Sequence, residues 1–246
     1  MRHQGVVIWE GPSPVDGAPI VMIASGLDRQ SKNRKTGAMV QTWILRADMP
    51  PVEALRVGAD ESICGSCPLR GRFEDGKRVE RSCYVAVIQA PGAVWRAYRA
   101  GTYPRVTPEE AAEILAGRAV RLGAYGDPAM VPFDVVSTAL AGVTNWTGYT
   151  HQWRSTDPRW AGMLMASCDN TDDLREARRA GWRAFVVVPM GASLPEGTVE
   201  CAATRERNQR QCIDCGMCMG TRGGTRTGAV SVAIQAHGVG AKYIAA

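Results

Sequence analysis

Three cysteines lie close together near the carboxyl end of the chain, at Cys212, Cys215 and Cys218, and a fourth, Cys201, precedes them. Consecutive C-x-x-C spacings let the thiolates of one glycine-containing loop converge on a single centre, as in the ferredoxin loops that bind iron–sulfur clusters. Zinc usually takes its thiolates from two separated C-x-x-C pairs. The spacing therefore favours a [4Fe–4S] cluster on these four residues, with zinc and metal-free thiols as the alternatives.

A second group of cysteines, Cys64, Cys67 and Cys83, begins with another C-x-x-C pair. We expect Cys83 to open a strand after an arginine- and glycine-rich segment of 15 residues. Three cysteines without a near fourth predict either an iron–sulfur cluster with one open iron or a metal ion completed by a distant residue. The alternative is a reduced pair beside a buried thiol. We refer to these three residues as the N-terminal cysteine group and to the other four as the C-terminal cysteine group.

The remaining cysteine, Cys168, ends an apolar segment and is followed by Asp169. A single cysteine in a strand is usually a small core residue. The carboxyl end of a barrel strand is also where active sites are built. Cys168 is therefore read as a core thiol, with the missing ligand of the N-terminal cysteine group as the alternative.

Polar residues follow several of the predicted strands. The segment "GAYGDP" ends in Tyr125, Gly126 and Asp127, while His151 and Asp169 follow the next two apolar segments. In parallel sheets the carboxyl ends of the strands meet at one edge, where ligands bind. The predicted small-molecule site therefore comprises Tyr125, Gly126, Asp127, His151, Asp169 and His237. The structural alternatives are a buried packing role for each histidine and a helix cap for Asp127.

The first part of the chain, residues 1–58, reads as a β extension. Apolar or alternating segments at 6–10, 18–27 and 40–48 predict strands in a hairpin or meander. A short helix that starts at a proline pair then leads into the N-terminal cysteine group.

Helical segments alternate with apolar strands over residues 59–246, which predicts βα units and a parallel sheet. One of the helices, at 107–117, has a threonine cap, a proline at its first position and a glycine after its end. We expect an α/β fold with a partial or complete (β/α) barrel, and an open doubly wound sheet is the second choice. The two cysteine groups fall in its predicted loops at 59–83 and 200–224.

The composition is that of a globular protein, with 45% hydrophobic residues, 22% charged residues and a net charge of +5. The mild positive charge makes nucleic acid only a weak candidate partner. Eight cysteines in 246 residues are too few for a disulfide scaffold. No long apolar run or apolar leader is present, so we expect no membrane span and a location in the cytoplasm.

The order of these motifs resembles a known group of proteins. A C-x-x-C-P, then "SCYVA", a helix with arginines, "AVRLGAYGDPA", "TGYTHQW", "MASCDN" and the terminal cysteines follow one another here. This order is similar to that of the bacteriophage proteins grouped around mycobacteriophage gene product eighty-eight, which in turn resemble radical-SAM enzymes. The resemblance covers roughly residues 60 to 238.

The resemblance implies a phage-encoded protein in the host cytoplasm, with a partial (β/α) barrel. The N-terminal cysteine group would hold a cluster that binds S-adenosylmethionine (SAM). The C-terminal cysteine group would hold an auxiliary cluster, and Gly126 and Asp127 would lie near a bound small molecule. Radical-SAM enzymes use C-x-x-x-C-x-x-C, whereas this chain has C-x-x-C followed by 15 residues and a third cysteine.

Two function classes follow from these observations. The first is an iron–sulfur protein with radical or redox chemistry at the mouth of the barrel. The second is a binding module without catalysis, in which iron–sulfur clusters or zinc stabilise a surface for nucleic acid or protein. Whether the chain is an enzyme is left open by the sequence.

Overall fold

A computed structural model describes residues 3–29, 31, 33–204, 209–222, 230–236 and 241–244. The strands are β1 (Gly5–Pro12), β2 (Pro19–Ser25), β3 (Val40–Arg46), β4 (Arg72–Glu74), β5 (Lys77–Val79), β6 (Ala119–Tyr125), β7 (Asn145–Thr147), β8 (Tyr149–Thr150), β9 (Met165–Cys168), β10 (Ala184–Val188), β11 (Thr198–Glu200) and β12 (Ser231–Gln235). The α-helices are α1 (Pro51–Val57), α2 (Glu61–Cys64), α3 (Ala90–Arg99), α4 (Pro108–Leu115), α5 (Phe133–Ala139), α6 (Thr171–Arg179) and α7 (Cys212–Cys215). Short 3₁₀ helices lie at Pro68–Arg70, Pro128–Met130, Pro158–Gly162 and Ala241–Tyr243.

The first sheet has the strand order β1-β2-β3-β6-β7. The first three strands pair antiparallel, and β3 then pairs parallel with β6. Five consecutive residues of β2, from Ile20 to Ala24, are fully buried, so this strand is covered on both faces. The predicted extension over residues 1–58 is therefore continuous with the rest of the chain through the pairing of β3 with β6.

The second sheet has the order β11-β12-β10-β9-β8, and its strands are all parallel. It meets the first sheet at Gly148, because β7 pairs with β6 while β8, one residue later, pairs with β9. A Cβ atom at Gly148 would lie 2.4 Å from Cδ2 of Leu164, so the two segments pass too close for a side chain here. The expected α/β fold with parallel strands is confirmed. Within the described residues no strand pairing closes the sheets into a barrel.

Alternate residues of the parallel strands face the hydrophobic core, where the helices pack. Val120 and Leu122 of β6 and Val186 of β10 belong to this core. Helix α6 packs on β9 and β10, and α4 packs on α5 and β1. The predicted threonine cap of α4 is confirmed, since Thr107 Oγ1 accepts from the backbone N–H of Glu110 at 3.2 Å and the Glu110 carboxylate accepts from that of Thr107.

The strand that Cys83 was expected to open is absent, and that prediction is wrong. Residues 81–86 form no helix or strand. The backbone N–H groups of Ser82 and Cys83 both donate to the carbonyl of Leu69, and Arg81 donates to the carbonyls of Cys83 and Val85. These bonds occupy the N–H groups of Ser82 and Cys83 and the carbonyls of Cys83 and Val85, so those groups do not pair with a neighbouring strand.

The short connection between β8 and β9 holds a 3₁₀ helix, Pro158–Gly162, instead of a crossover α-helix. Asp157 caps it by accepting from the backbone N–H of Arg159 at 2.9 Å, and the Trp160 side chain is 1% exposed. The large indole anchors this connection in the core, so a parallel crossover is made with few residues.

Candidate functional site

The polar residues at the ends of the parallel strands line one cavity of about 460 Å³. Tyr125 ends β6, with Gly126 and Asp127 directly after it, while His151 follows β8 and Asp169 follows β9. Five of the six predicted ligand-binding residues thus come together at the carboxyl edge of the sheet. The sixth, His237, lies outside the described residues.

Asp127 connects the strand ends to the N-terminal cysteine group. Its Oδ2 accepts from the hydroxyl of Thr150 and from the backbone N–H of His151, both at 3.0 Å, and its backbone N–H donates to the carbonyl of Ile63 at 2.7 Å. Burial raises the pKa of the Asp127 carboxyl. Its Oδ1 accepts from the backbone N–H of Ala129 at 3.0 Å, so the expected capping role is also present.

Gln152 holds the C-x-x-C turn of the N-terminal cysteine group. Its Nε2 donates to the carbonyl of Cys64 at 3.1 Å, and its Oε1 accepts from the backbone N–H and the hydroxyl of Ser66. Gly65 adopts a φ of 53°, and a Cβ atom there would lie 2.5 Å from the Gln152 Oε1. The turn therefore requires glycine, both for its backbone conformation and for its close approach to Gln152.

The three thiols of the N-terminal cysteine group influence one another electrostatically. Burial raises the pKa of Cys64 and of Cys83, and negative charge on Cys67 raises both further. A backbone N–H of Val85 donates to the Cys83 sulfur and favours its thiolate. Cys64 ends α2, whereas Cys67 and Cys83 belong to the loops on either side of the β4–β5 hairpin.

A buried ion cluster fixes the loop that carries this group. The Asp60 side chain is 3% exposed, and its Oδ1 accepts from Arg70 at 3.0 Å and also from Arg78. Arg70 donates to the carbonyls of Gly58 and Gly65 as well. The hairpin β4–β5 delivers Arg78, so the residues between Cys67 and Cys83 supply part of the support for the C-x-x-C turn.

His151 lies between Cys67 and Asp169. Its Nε2 is 3.4 Å from Oδ1 of Asp169, and the ring also hydrogen-bonds the sulfur of Cys67. Burial lowers the pKa of His151, but the charge of Cys67 and the contacts with both partners outweigh it and hold that pKa well above its ordinary value. A positively charged imidazole beside a cysteine stabilises the thiolate, which is the form that binds metals.

In the C-terminal cysteine group, helix α7 carries Cys212 and Cys215, and its backbone is anchored on the loop before β3. The backbone N–H groups of Cys212 and Ile213 donate to the carbonyls of Lys35 and Thr36, at 2.8 and 3.2 Å. Gly216, with a φ of 65°, then turns the chain towards Cys218.

The four thiols of this group are also mutually close. The pKa of Cys212 is raised to about 11, chiefly by burial and also by the negative charges of Cys201 and Cys215. Burial likewise raises the pKa of Cys218, with Cys201, Cys212 and Cys215 acting in the same direction. The four cysteines predicted to share a centre are thus brought together from β11, α7 and the turn that follows it.

Hydrogen-bond donors contact two sulfurs of the C-terminal cysteine group. The Tyr149 hydroxyl donates to the sulfur of Cys218, and the backbone N–H of Ala203 donates to the sulfur of Cys201. The Thr204 hydroxyl donates to the backbone carbonyl of Cys201 at 3.1 Å. Hydrogen bonds to the sulfurs favour the thiolate over the thiol and are among the features that set the reduction potential of an iron–sulfur cluster.

No three His, Cys, Asp or Glu side chains in the described ranges are grouped as they would be around one metal ion. The thiolates of a tetrahedral zinc site lie about 4 Å apart, since each Zn–S bond is about 2.3 Å. The thiolates of a [4Fe–4S] cluster each bind a different iron, so they are arranged more widely. Two sets of mutually close thiols with N–H and O–H donors on their sulfurs are a donor set of the kind that such clusters use.

Both cysteine groups line the same cavity, through Cys64, Cys67 and Cys83 at one end and Cys201 and Cys212 at the other. Cys168 also lines it, but its side chain is buried and its sulfur donates to the carbonyl of Ala166 at 3.6 Å. Burial raises the pKa of Cys168 to about 12. These properties are those of a core thiol.

None of the described helices has the length and apolar character needed to cross a lipid bilayer. Comparisons with protein-family models, with curated proteins and with solved structures found no match to this chain.

Proposed function

We propose that this chain is an iron–sulfur protein with two cluster sites facing one cavity. One [4Fe–4S] cluster is held by the C-terminal cysteine group. A second cluster is held by the N-terminal cysteine group, and its fourth iron is open towards the cavity.

The observation that carries this proposal is the grouping of seven cysteines from distant parts of the chain into two sets, of which Cys64, Cys67, Cys83, Cys201 and Cys212 line one cavity. Holding these groups as thiolates without a metal is costly, because burial and mutual repulsion both disfavour the ionised forms. A cluster offsets this cost, since iron binds each sulfur as the thiolate and disperses its charge. The donors from His151, Tyr149 and the backbone of Ala203 lie where they would stabilise such thiolates.

The second part of the proposal is that a reaction takes place at the open iron. The parallel strands and the three-cysteine site fit the radical-SAM resemblance, in which that iron binds SAM and the remaining space holds a substrate. The N-terminal cysteine group follows β3, the first strand of the parallel part of the sheet. The residues of this chain that would act there are Tyr125 and His151, which lie beside the group at the cavity wall.

Anaerobic purification with iron, sulfide and zinc counted per chain tests the proposal. Two [4Fe–4S] clusters predict about eight irons, brown colour and loss of about four irons when either cysteine group is changed to alanine. Cys168→Ala is the matched control and should keep all of them. A colourless protein with stoichiometric zinc would instead support the metal-stabilised binding module.

The proposed radical chemistry is tested by a separate measurement of SAM binding and cleavage. The protein reduced with dithionite is expected to bind SAM and to cleave it to methionine and 5′-deoxyadenosine. Iron-loaded protein that neither binds nor cleaves SAM would remove the radical chemistry and leave a redox or electron-transfer role.

A further inference from the structure

Two buried hydroxyl groups line the cavity and have no hydrogen-bond partner among the described residues: Oη of Tyr125 and Oγ1 of Thr36. Tyr125 is 4% exposed and Thr36 is 7% exposed. Buried polar groups in folded proteins are nearly always hydrogen-bonded, because an unsatisfied one is costly. Two unsatisfied hydroxyls on residues that line one cavity indicate that a ligand supplies their partners.

The end of the cavity near Thr36 is positively charged. Lys35, the residue before Thr36, and Arg121 both line the cavity. Arg121 donates to the Tyr84 hydroxyl at 2.7 Å, which uses one of the five N–H donors of a guanidinium. Two cations and a hydroxyl form a donor set suited to an oxyanion.

The middle of the cavity is apolar and partly aromatic. The rings of Tyr149 and Phe185 lie with their centroids 4.5 Å apart, and Val187 and Ile234 continue the wall. At the opposite end, the Tyr125 hydroxyl lies beside Cys64 and Cys83. The cavity volume of about 460 Å³ is in the range of sites for small molecules.

We propose that this cavity binds a small-molecule anion with an apolar body. Its carboxylate or phosphate is held by Thr36, Lys35 and Arg121, its body lies along Phe185 and Ile234, and a second polar group is hydrogen-bonded by Tyr125. The binding site does not depend on a metal. Its role as a substrate site, with the reacting group next to the N-terminal cysteine group, rests on the proposed function.

Calorimetric titration of the anaerobic, full-length protein with defined probes tests this inference. The probes are 3-phenylpropionate, phenyl phosphate, the neutral amide of 3-phenylpropionate, and 3-(4-hydroxyphenyl)propionate. We expect at least one of the anions to bind, and the amide to bind at least about tenfold more weakly because a charge-assisted hydrogen bond is lost. Preference for the carboxylate or for the phosphate identifies the anionic group. Equal binding of the amide, or no binding of either anion, would overturn the proposal.

Three variants locate the anion. Arg121→Gln and Thr36→Val should weaken binding of the anion about fivefold or more, whereas Arg56→Gln, at an exposed helix position, should leave it unchanged. The hydroxylated probe should bind more tightly than 3-phenylpropionate to the unaltered protein but not to Tyr125→Phe. An anion that binds equally well to Arg121→Gln and Thr36→Val, or a hydroxyl that gives no gain, would contradict the assigned positions.

Thermal unfolding separates a ligand-binding role from a structural one. Since Thr36→Val and Tyr125→Phe remove hydroxyls that have no partner in the ligand-free protein, Tm should be unchanged or higher in both variants. A Tm lowered by several degrees would show that the hydroxyl has a partner within the chain, which would overturn the inference. Iron analysis of the same samples distinguishes a failure of the anion-binding proposal from a failure of the iron–sulfur proposal. Iron without anion binding contradicts only this inference, and anion binding without iron contradicts only the iron–sulfur proposal.

Discussion

Gln152 donates from its side-chain amide to the backbone carbonyl of Cys64 at 3.1 Å, across 88 residues of sequence. The same side chain accepts two hydrogen bonds from Ser66. Gln152, which lies two residues after β8, thus sets the conformation of the turn between Cys64 and Cys67.

Replacing Gln152 with alanine should release that turn. The N–H of Ser66 would lose its partner and the carbonyl of Cys64 would keep only the N–H of Cys67, at a cost of about 1–3 kcal/mol in the free energy of unfolding. If the N-terminal cysteine group holds a cluster, about half of the iron per chain should be lost as well. Urea unfolding and iron analysis measure the two effects. Gln89→Ala, at an exposed position, is the control. Unchanged stability in the Gln152 variant would contradict the positioning role.

Asp60→Asn should destabilise the fold more strongly. The carboxylate of Asp60 is the partner of both Arg70 and Arg78, whose side chains are only 13% and 10% exposed. Removing the anion leaves two largely buried cations, so we expect the free energy of unfolding to fall by about 3–5 kcal/mol. Glu61→Gln is the matched control, because Glu61 also contacts Arg70 but is 58% exposed, and it should cost less than about 1 kcal/mol. Similar losses in the two variants would be inconsistent with the buried cluster.

Much of the architecture follows from local sequence patterns. The β1–β3 meander, the capped helix α4 and the parallel strands were all indicated by apolar periodicity and end signals, because those signals act within a few residues. Polar residues after successive strands were expected to meet, and Tyr125, His151 and Asp169 do so, since parallel strands share one carboxyl edge.

The residues that support the site could not be predicted from local sequence patterns. Gln152, Asp60 and Arg78 look like ordinary polar residues, and their partners are distant in the chain. The split between β7 and β8 at Gly148 was missed because the segment reads as one continuous strand. The strand expected at Cys83 does not form. Its apolar residues suggest a strand, but hydrogen bonds from Arg81 and to Leu69 occupy the backbone.

Cys168→Ala tests whether this residue is a core thiol or a ligand. Its side chain is 1% exposed and hydrogen-bonds within its own strand. We therefore expect full iron content and a loss of about 1 kcal/mol in the free energy of unfolding. In the native protein at about pH 8, iodoacetamide should leave Cys168 unmodified, because burial keeps it protonated and inaccessible. A variant that lost iron would make Cys168 a ligand of the N-terminal cysteine group.

Glu10 gives the fold a defined dependence on pH. Hydrogen bonds from Arg105 hold the pKa of Glu10 below its ordinary value, despite the opposing effect of partial burial. The folded state therefore favours the ionised carboxylate. This contribution is present above the ordinary pKa of a glutamate and is lost as the pH falls through the lowered pKa of Glu10.

Glu10→Gln should accordingly reduce the free energy of unfolding by about 0.5–1 kcal/mol at about pH 7 and have little effect at about pH 3. Glu53→Gln, on the exposed face of α1, is the control and should show no such difference between the two conditions. Urea unfolding at both pH values measures the effect. A loss that is equal at both would mean that Glu10 acts through packing and not through its charge.

Tyr149→Phe addresses the electronic environment of the C-terminal cysteine group. The Tyr149 hydroxyl donates to the sulfur of Cys218, and a hydrogen bond to a cluster thiolate stabilises the reduced form, which carries the larger negative charge. If the C-terminal cysteine group holds the proposed cluster, removal of this hydroxyl should make the midpoint potential of the cluster more negative without changing the iron content. Potentiometric titration followed by electron paramagnetic resonance measures this shift. Tyr98→Phe removes a hydroxyl that contacts Glu10 on another part of the surface, so it should leave the potential unchanged. An unchanged potential in the Tyr149 variant, with the cluster intact, would show that this hydroxyl does not act on the cluster.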